Sequence, residues 1–513
     1  MGSKKRYAIN GFAQIFAFMV SLCITFFLTP YIVSQLGAAA YGFVGLASNF
    51  VSYAQIITIA LNSMAGRFIT ISVHQNRIED ARKYFSSVFF SNIILVAFIS
   101  IIGIVVLAKL ENIVNIPSEI VYDVKLLFFC IFLDFFISLI FNVYNVSTFI
   151  ANRLDLSSIR TIVANFIKAI LLVAIFYLFD AAVWYIGLAT VISTLYIIAT
   201  NIILKRKLTP ELCISLKYFD FNSIKELLSA GVWNIISKLN SLLSSGFNLL
   251  LANLFIGATP MGLLSITRRI PTLTLTLFER INAIFAPPWT KLYATNQTEA
   301  LHRQIIKTIR IFGTICTIPT AFIFVFSDYF YALWLPSQDS KILYYLTVGA
   351  CMDLPIAMPL QPIYNLYPIT NKIRANSIFG LFIFSLTFIV VVIGLHVTEG
   401  DFTHLMIISS TCSFFNTIKA LTFLPLYGAH CIGLNAKLLY VCILRSLVAF
   451  VLLIASLFTL KSLFPQPSWT ILALSLIATC VLGGLFGYLI MLNKDDHKEV
   501  AQIFHKVFKR FSK

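Results

Sequence analysis

Two stretches decide how this chain is read: residues 11–42, GFAQIFAFMVSLCITFFLTPYIVSQLGAAAYG, and residues 231–262, GVWNIISKLNSLLSSGFNLLLANLFIGATPMG. Each is a mainly apolar run longer than the ~20 residues a helix needs to cross a bilayer, and each ends in a glycine-flanked turn. Gly11 and Gly231 stand 220 residues apart, as do Gly37 and Gly257, and Gly42 and Gly262. Tyr144–Asn145 and Tyr364–Asn365 keep the same offset far downstream. A gap-free register over that distance marks an internal repeat.

Outward from these stretches, apolar runs predict fourteen transmembrane helices: 10–34, 42–66, 86–108, 124–150, 159–179, 183–204, 228–256, 262–287, 308–328, 341–368, 375–396, 403–426, 438–460 and 468–491. The composition agrees, with 59% hydrophobic and 12% charged residues and a mean hydropathy of +0.89. The expected class is an all-α polytopic membrane protein, which excludes a nucleic-acid-binding domain, a disordered regulator and a secreted disulfide scaffold. Of 38 Lys and Arg, 27 fall in alternate loops that share one side, and only Lys109, Lys125, Lys341 and Lys461 fall opposite. The positive-inside rule then puts the N- and C-termini in the cytoplasm. The basic start (Lys4, Lys5, Arg6) leads into a full-length span without a small-residue cleavage site, so the first helix is expected to be retained.

Six spans per repeat is an even number, so the two repeats share one orientation, related by an axis along the membrane normal. The expected divisions are an N-lobe at 1–222, a C-lobe at 223–437, two extra helices at 438–492 and a basic tail at 493–513. In the tail Val500, Ile503, Phe504, Val507, Phe508 and Phe511 recur at helical spacing among basic residues, as in a helix lying on the inner membrane surface. A tail that merely enforces topology is the alternative. Ser223 and Glu226 have capping-box spacing and predict a short interfacial helix before span seven. Nine cysteines without a CxxC pair imply neither a disulfide frame nor a metal site, and no cofactor motif occurs.

Ten ionisable residues lie inside the spans: Lys168, Lys238, Arg268, Arg269, Arg280, Lys419, Arg445, Asp134, Glu279 and Asp353. A charge at the bilayer centre costs at least ~2.5–3.5 kcal/mol, so these should face water or a partner. Arg280, Lys419 and Arg445 lie near the cytoplasmic ends of their spans, where snorkelling satisfies them cheaply. The others are candidates for a cavity. On span seven Asn234, Lys238, Ser241, Ser245 and Asn248 form one polar face, matched on span one by Gln14, Ser21 and Thr25. Span eight carries Arg268, Thr272, Glu279 and Asn282 on one side with Arg269, Thr276 and Arg280 adjoining, and span two answers with Ser52, Gln55 and Asn62. Lys238, Arg268, Arg269, Lys168, Asn234, Asn248, Gln14 and Asn62 are the candidate substrate-binding residues. Glu279, Asp353 and Asp134 are candidates for proton coupling or, on the duller reading, for balancing an arginine. Asp353 sits near Pro355 and Pro359, which should kink span ten.

The turn Leu36-Gly37-Ala38-Ala39-Ala40-Tyr41-Gly42, the stretch Met64 to Phe90 and the plan of six, six and two spans resemble the polysaccharide transporters of the multidrug/oligosaccharidyl-lipid/polysaccharide (MOP) superfamily, and within it Wzx-type flippases. That resemblance implies two parallel six-helix lobes in a V, as in MATE exporters. It also implies an undecaprenyl-pyrophosphate-linked oligosaccharide as substrate, moved to the outer leaflet of the bacterial inner membrane for O-antigen or capsule. A polysaccharide polymerase and a chain-length regulator are then expected partners. A cationic lobe suits a pyrophosphate of about two negative charges, for which Arg supplies forked donors. A MATE-like multidrug exporter is the first alternative, although it would prefer acids to cations in its cavity. A membrane polysaccharide polymerase or glycosyltransferase is the second, and no long outer loop here carries paired carboxylates.

Overall fold

The computed structural model describes residues 3–283, 285, 288–289, 292–293, 295–370, 372–493 and 496; within these, the side chains of 3–8, 11, 15, 230–234, 236–246 and 283 are not described. The expected basic tail therefore lies outside the described residues. Everything regular is helical. In chain order the long helices are α1 (Ser3–His74), α2 (Ile78–Ala108), α3 (Val121–Phe141), α4 (Leu154–Leu178), α5 (Trp184–Leu208), α6 (Phe221–Phe255), α7 (Ala258–Thr267), α8 (Arg269–Ala283), α9 (Thr298–Trp334), α10 (Ser340–Ala350), α11 (Ile373–Val397), α12 (Asp401–Leu421), α13 (Phe423–Ile432), α14 (Ala436–Ser462) and α15 (Trp469–Phe486).

Among the described residues ten helices are long and apolar enough to cross a membrane, or eleven if the bent pair over 340–369 counts as one span. The expected number was fourteen, and three local features account for the smaller count. Expected spans one and two are both present within α1, as two helices that meet at a kink at Gly37 (φ 80° and ψ 166°), so the pair counts once. Helix α6 is long enough but its polar face lowers its hydropathy, and expected span eight is split at Arg268 between α7 and α8. Apolar side chains point outward along whole helix faces, as at Ile94, Phe98 and Ile101 on α2 and Leu474, Ile477, Val481 and Leu485 on α15. Stripes at i, i+3 and i+4 that face away from the protein are what lipid requires of a multi-pass membrane protein.

Packing divides the chain into two compact units, Met1–Ser265 and Ile266–Lys513. In unit 1, α1 packs against α6, α4 and α2, and α3 packs against α5. Because α6 lies on α1, this division falls at Ser265 and not where the repeat begins in sequence. Leu61, Ile69, Phe85 and Val88 form a fully or nearly fully buried core, over which the loop residue Leu212 closes. In unit 2, α9 packs against α14 and α15. At one end of this contact Lys461 meets the Asp328 carboxylate at 2.6 Å and lies 4.6 Å from the centre of the Tyr329 ring.

One expectation changes in detail and another is met. The helix before span seven is not separate: α6 is continuous from Phe221 to Phe255. Its N-cap is Asp220, which accepts from the backbone N–H of Ser223 at 2.9 Å and of Asn222 at 3.3 Å. Ser223 supports that cap by donating its hydroxyl to Asp220 at 2.7 Å. Span ten does break where its prolines fall, by 69° between Ser340–Ala357 and Gln361–Ile369.

The glycines of the repeat have two distinct jobs. Gly37 and Gly257 hold φ at 80° and 131°, a region L side chains avoid. Gly42 and Gly262 instead permit contact: a Cβ on Gly42 would sit 2.8 Å from Gly262 Cα, and one on Gly262 would sit 2.0 Å from the Ala38 carbonyl oxygen. Gly262→Ala should lower the unfolding free energy by about 1–3 kcal/mol, the usual range for overpacking. Gly484→Ala, at a helical glycine with nothing within 4 Å of the new Cβ, should raise it by about 0.4–1 kcal/mol. Thermal unfolding of the detergent-purified variants tests the opposite signs. The Ser223 hydroxyl, then its backbone N–H, holds the Asp220 carboxyl below the usual range. The cap's contribution is thus present above the ordinary carboxylate pKa and lost as pH falls through the lowered one. Asp220→Ala should cost about 1 kcal/mol at neutral pH and little in strong acid, read from the same unfolding curves.

Candidate functional site

In each repeat an asparagine clamps a break in the helix that follows. Asn62 and Asn282 are 220 residues apart. In unit 1, α3 loosens into a 3-10 turn at Asn142–Asn145. Asn62 and the fully buried Asn92 exchange amide hydrogen bonds of 3.0 and 3.1 Å, and Asn142 donates a further bond of 3.1 Å to the Asn62 carbonyl. Asn92 also donates to the Leu139 backbone carbonyl at 2.9 Å. In unit 2 the corresponding 3-10 turn is Gln361–Asn365. There Asn365 donates to the Asn282 side chain at 2.9 Å, and Asn282 donates to the Gln361 carbonyl at 3.1 Å. A broken span exposes backbone carbonyls, and a side-chain amide is the neutral group that satisfies them. Asn76 and Asn296, again 220 apart, both take positive φ at 57° and 54°.

Lys168 and Asp134 belong together. They lie within electrostatic range in unit 1, and Thr194 hydrogen-bonds the carboxyl. Asn165, three residues before Lys168, donates to Ser21 at 2.6 Å and ties α4 to the polar face of α1. Further along that face Gln14 is exposed, and Asn248 on α6 is partly buried. The side chains of Asn234 and Lys238 lie outside the described residues.

Unit 2 gathers the other charges. Asp353, at the break of span ten, faces Asn416 and Ser413 from α12. Cys412 lies within electrostatic range of both Asp353 and Arg268. Tyr364 is close enough to Asp353 to feel its charge, and the Lys419 ammonium sits 5.5 Å from the centre of the Tyr364 ring. Lys419 is only 8% exposed, so it does not snorkel as its place near a span end suggested. Arg269 is partly buried, while Glu279 and Arg280 are exposed on α8 and Asn282 is buried in its clamp. The single polar side expected of span eight is thus divided between two environments.

Sequence reasoning singled out Arg268, Asp353 and Asn62 as candidates but not Asn92, Asn142, Tyr364, Ser413 and Asn416, which the structure places around them. Tyr364 carried a signal through its match to Tyr144, and Asn92 through being an amide inside an apolar run.

A break-spanned, all-helical membrane protein with an amide clamp in each repeat defines a structural class that the comparisons make specific. Residues 8–287 match the family described as polysaccharide biosynthesis protein, and the chain belongs to that family. It is 25% identical over 507 residues to the uncharacterized membrane protein EpsK of Bacillus subtilis (strain 168), covering 98% of both chains. An inward-facing multidrug resistance MATE family transporter of the MOP superfamily shares its fold with a TM-score of 0.67 at 18% identity, over 81% of this chain and 98% of that one. The lipid II flippase MurJ in an inward closed conformation shares it with a TM-score of 0.66 at 13% identity, over 94% and 98%.

Asn282→Leu leaves the Gln361 carbonyl without its amide donor, and Asn92→Leu does the same to the Leu139 carbonyl and removes one partner of Asn62. Each should destabilise its unit by about 1–3 kcal/mol, the cost of an unpaired buried polar group. Because Asn62 and Asn92 bond each other, a double-mutant cycle between them should show strong coupling in thermal unfolding, whereas Asn92 with Asn282 should be additive.

Proposed function

We propose that the protein is a flippase that carries undecaprenyl-pyrophosphate-linked oligosaccharide repeat units from the cytoplasmic to the outer leaflet by alternating access. The product feeds synthesis of a surface polysaccharide such as O-antigen or capsule. Membership of the polysaccharide biosynthesis family supports the substrate class, and the fold shared with a lipid II flippase supports movement of a sugar on a lipid carrier. The observation that carries the reading is the unit 2 cluster, where Arg268 and the buried Lys419 accompany one carboxylate, Asp353, inside the membrane.

Cations held in a low-dielectric setting attract a pyrophosphate more strongly than they would in water. Arg268 and Arg269 offer forked donors to phosphate oxygens, and Lys238 is a candidate for the same attraction from its place in the sequence alone. Asp353 balances the charge of the empty site. Lys168 is assigned to charge balance with Asp134. The carrier's hydrocarbon stays in lipid while its head crosses. The site sits in a bacterial inner membrane with both termini in the cytoplasm, and a polymerase with its chain-length regulator receives the product on the far side.

Charge reversal at all three positions (Lys238→Glu, Arg268→Glu, Arg269→Glu) should abolish glycolipid export in cells that insert the protein normally. Wild-type affinity for an undecaprenyl-pyrophosphate sugar should also fall with rising salt. Export that survives the triple reversal at normal levels of inserted protein would overturn the proposal.

A further inference from the structure

Beside the Asn62 clamp, unit 1 carries an open chamber of about 370 Å³ walled by Gln55, Thr58, Asn62, Ser138 and Asn142, with Phe135 on one side. Among the described residues no charged side chain lines it. The volume falls within the ~300–1,000 Å³ of ordinary small-molecule sites. Among the described residues the Gln55 carboxamide and the Ser138 hydroxyl make no hydrogen bond, and Asn142 uses only its Nδ2. The Asn62–Asn92 pair, by contrast, is saturated and fixes the wall behind them.

We propose that this chamber is a binding subsite for an uncharged sugar bearing hydroxyl or acetamido groups. Such groups both donate and accept, as the free amide and hydroxyl of the wall do. The Phe135 ring supplies an apolar surface for the C–H face of a sugar ring. A phosphate or an acidic sugar would find no cation here, and a hydrocarbon would strand the amides without partners. Towards the Gly37 end, Phe135 also borders an apolar recess of about 240 Å³ lined by Phe50, Tyr53, Ile99 and Phe132, which confines a polar guest to the amide side. The assignment rests on the glycolipid reading above and deepens it by giving the neutral sugar its own subsite in unit 1.

The test uses the full chain in lipid nanodiscs and two probes, undecaprenyl-pyrophosphate N-acetylglucosamine and undecaprenyl pyrophosphate without sugar. Wild-type protein should bind the sugar-bearing carrier more tightly. Gln55→Leu and Ser138→Ala should each weaken it by roughly three- to tenfold and leave the sugarless carrier unchanged. Ser138→Ala removes one hydroxyl, so it remains readable if Gln55→Leu lowers thermal stability. Equal weakening of both probes, no weakening, or no wild-type preference for the sugar overturns the subsite and leaves the glycolipid reading standing. Failure of wild-type protein to bind either carrier overturns both.

Discussion

A polar group inside hydrocarbon must find a partner in the protein, and this constraint organises both units. Where a span breaks, its freed carbonyls have no water to turn to. The answer is an asparagine from a neighbouring helix, Asn92 for Leu139 and Asn282 for Gln361. An amide does this without bringing charge into the membrane, and in each unit it also pairs with a second amide. Charges are treated by the same logic. Asp134 has Lys168, Asp328 has Lys461, and Asp353 has the hydrogen-bonding side chains of Asn416 and Ser413.

Breaks of this kind let one helix serve two purposes. The regular parts of spans four and ten pack as ordinary membrane helices, while their 3-10 turns at Asn142–Asn145 and Gln361–Asn365 bring side chains to positions that a straight helix would bury against a neighbour. Tyr364 and Asn142 are the outcome: one lies near Asp353 and Lys419, the other on the chamber wall. Glycine performs the complementary task at the turns. Gly37 and Gly257 supply backbone geometry, and Gly42 and Gly262 supply close approach.

The two units use this shared scaffold differently. Around Asn62 the polar residues are neutral amides and hydroxyls, whereas around Asp353 they include Arg268 and Lys419. The repeat has thus diverged in charge while keeping its glycine turns and its 3-10 breaks.

The all-helical membrane architecture and the 220-residue repeat were legible in the sequence, because hydropathy and a fixed residue offset survive without knowledge of neighbours. The repeat glycines were legible as turns for the same reason. Which charge meets which was not. Lys419 read as a snorkelling residue until Tyr364 was seen above it, and Arg268 and Glu279 read as one face until the helix proved to break at Arg268. Asn92 is one polar residue in an apolar run, and its partner Asn62 lies thirty positions away. Such pairings depend on how helices distant in sequence are rotated against one another, and only the tertiary structure sets that rotation.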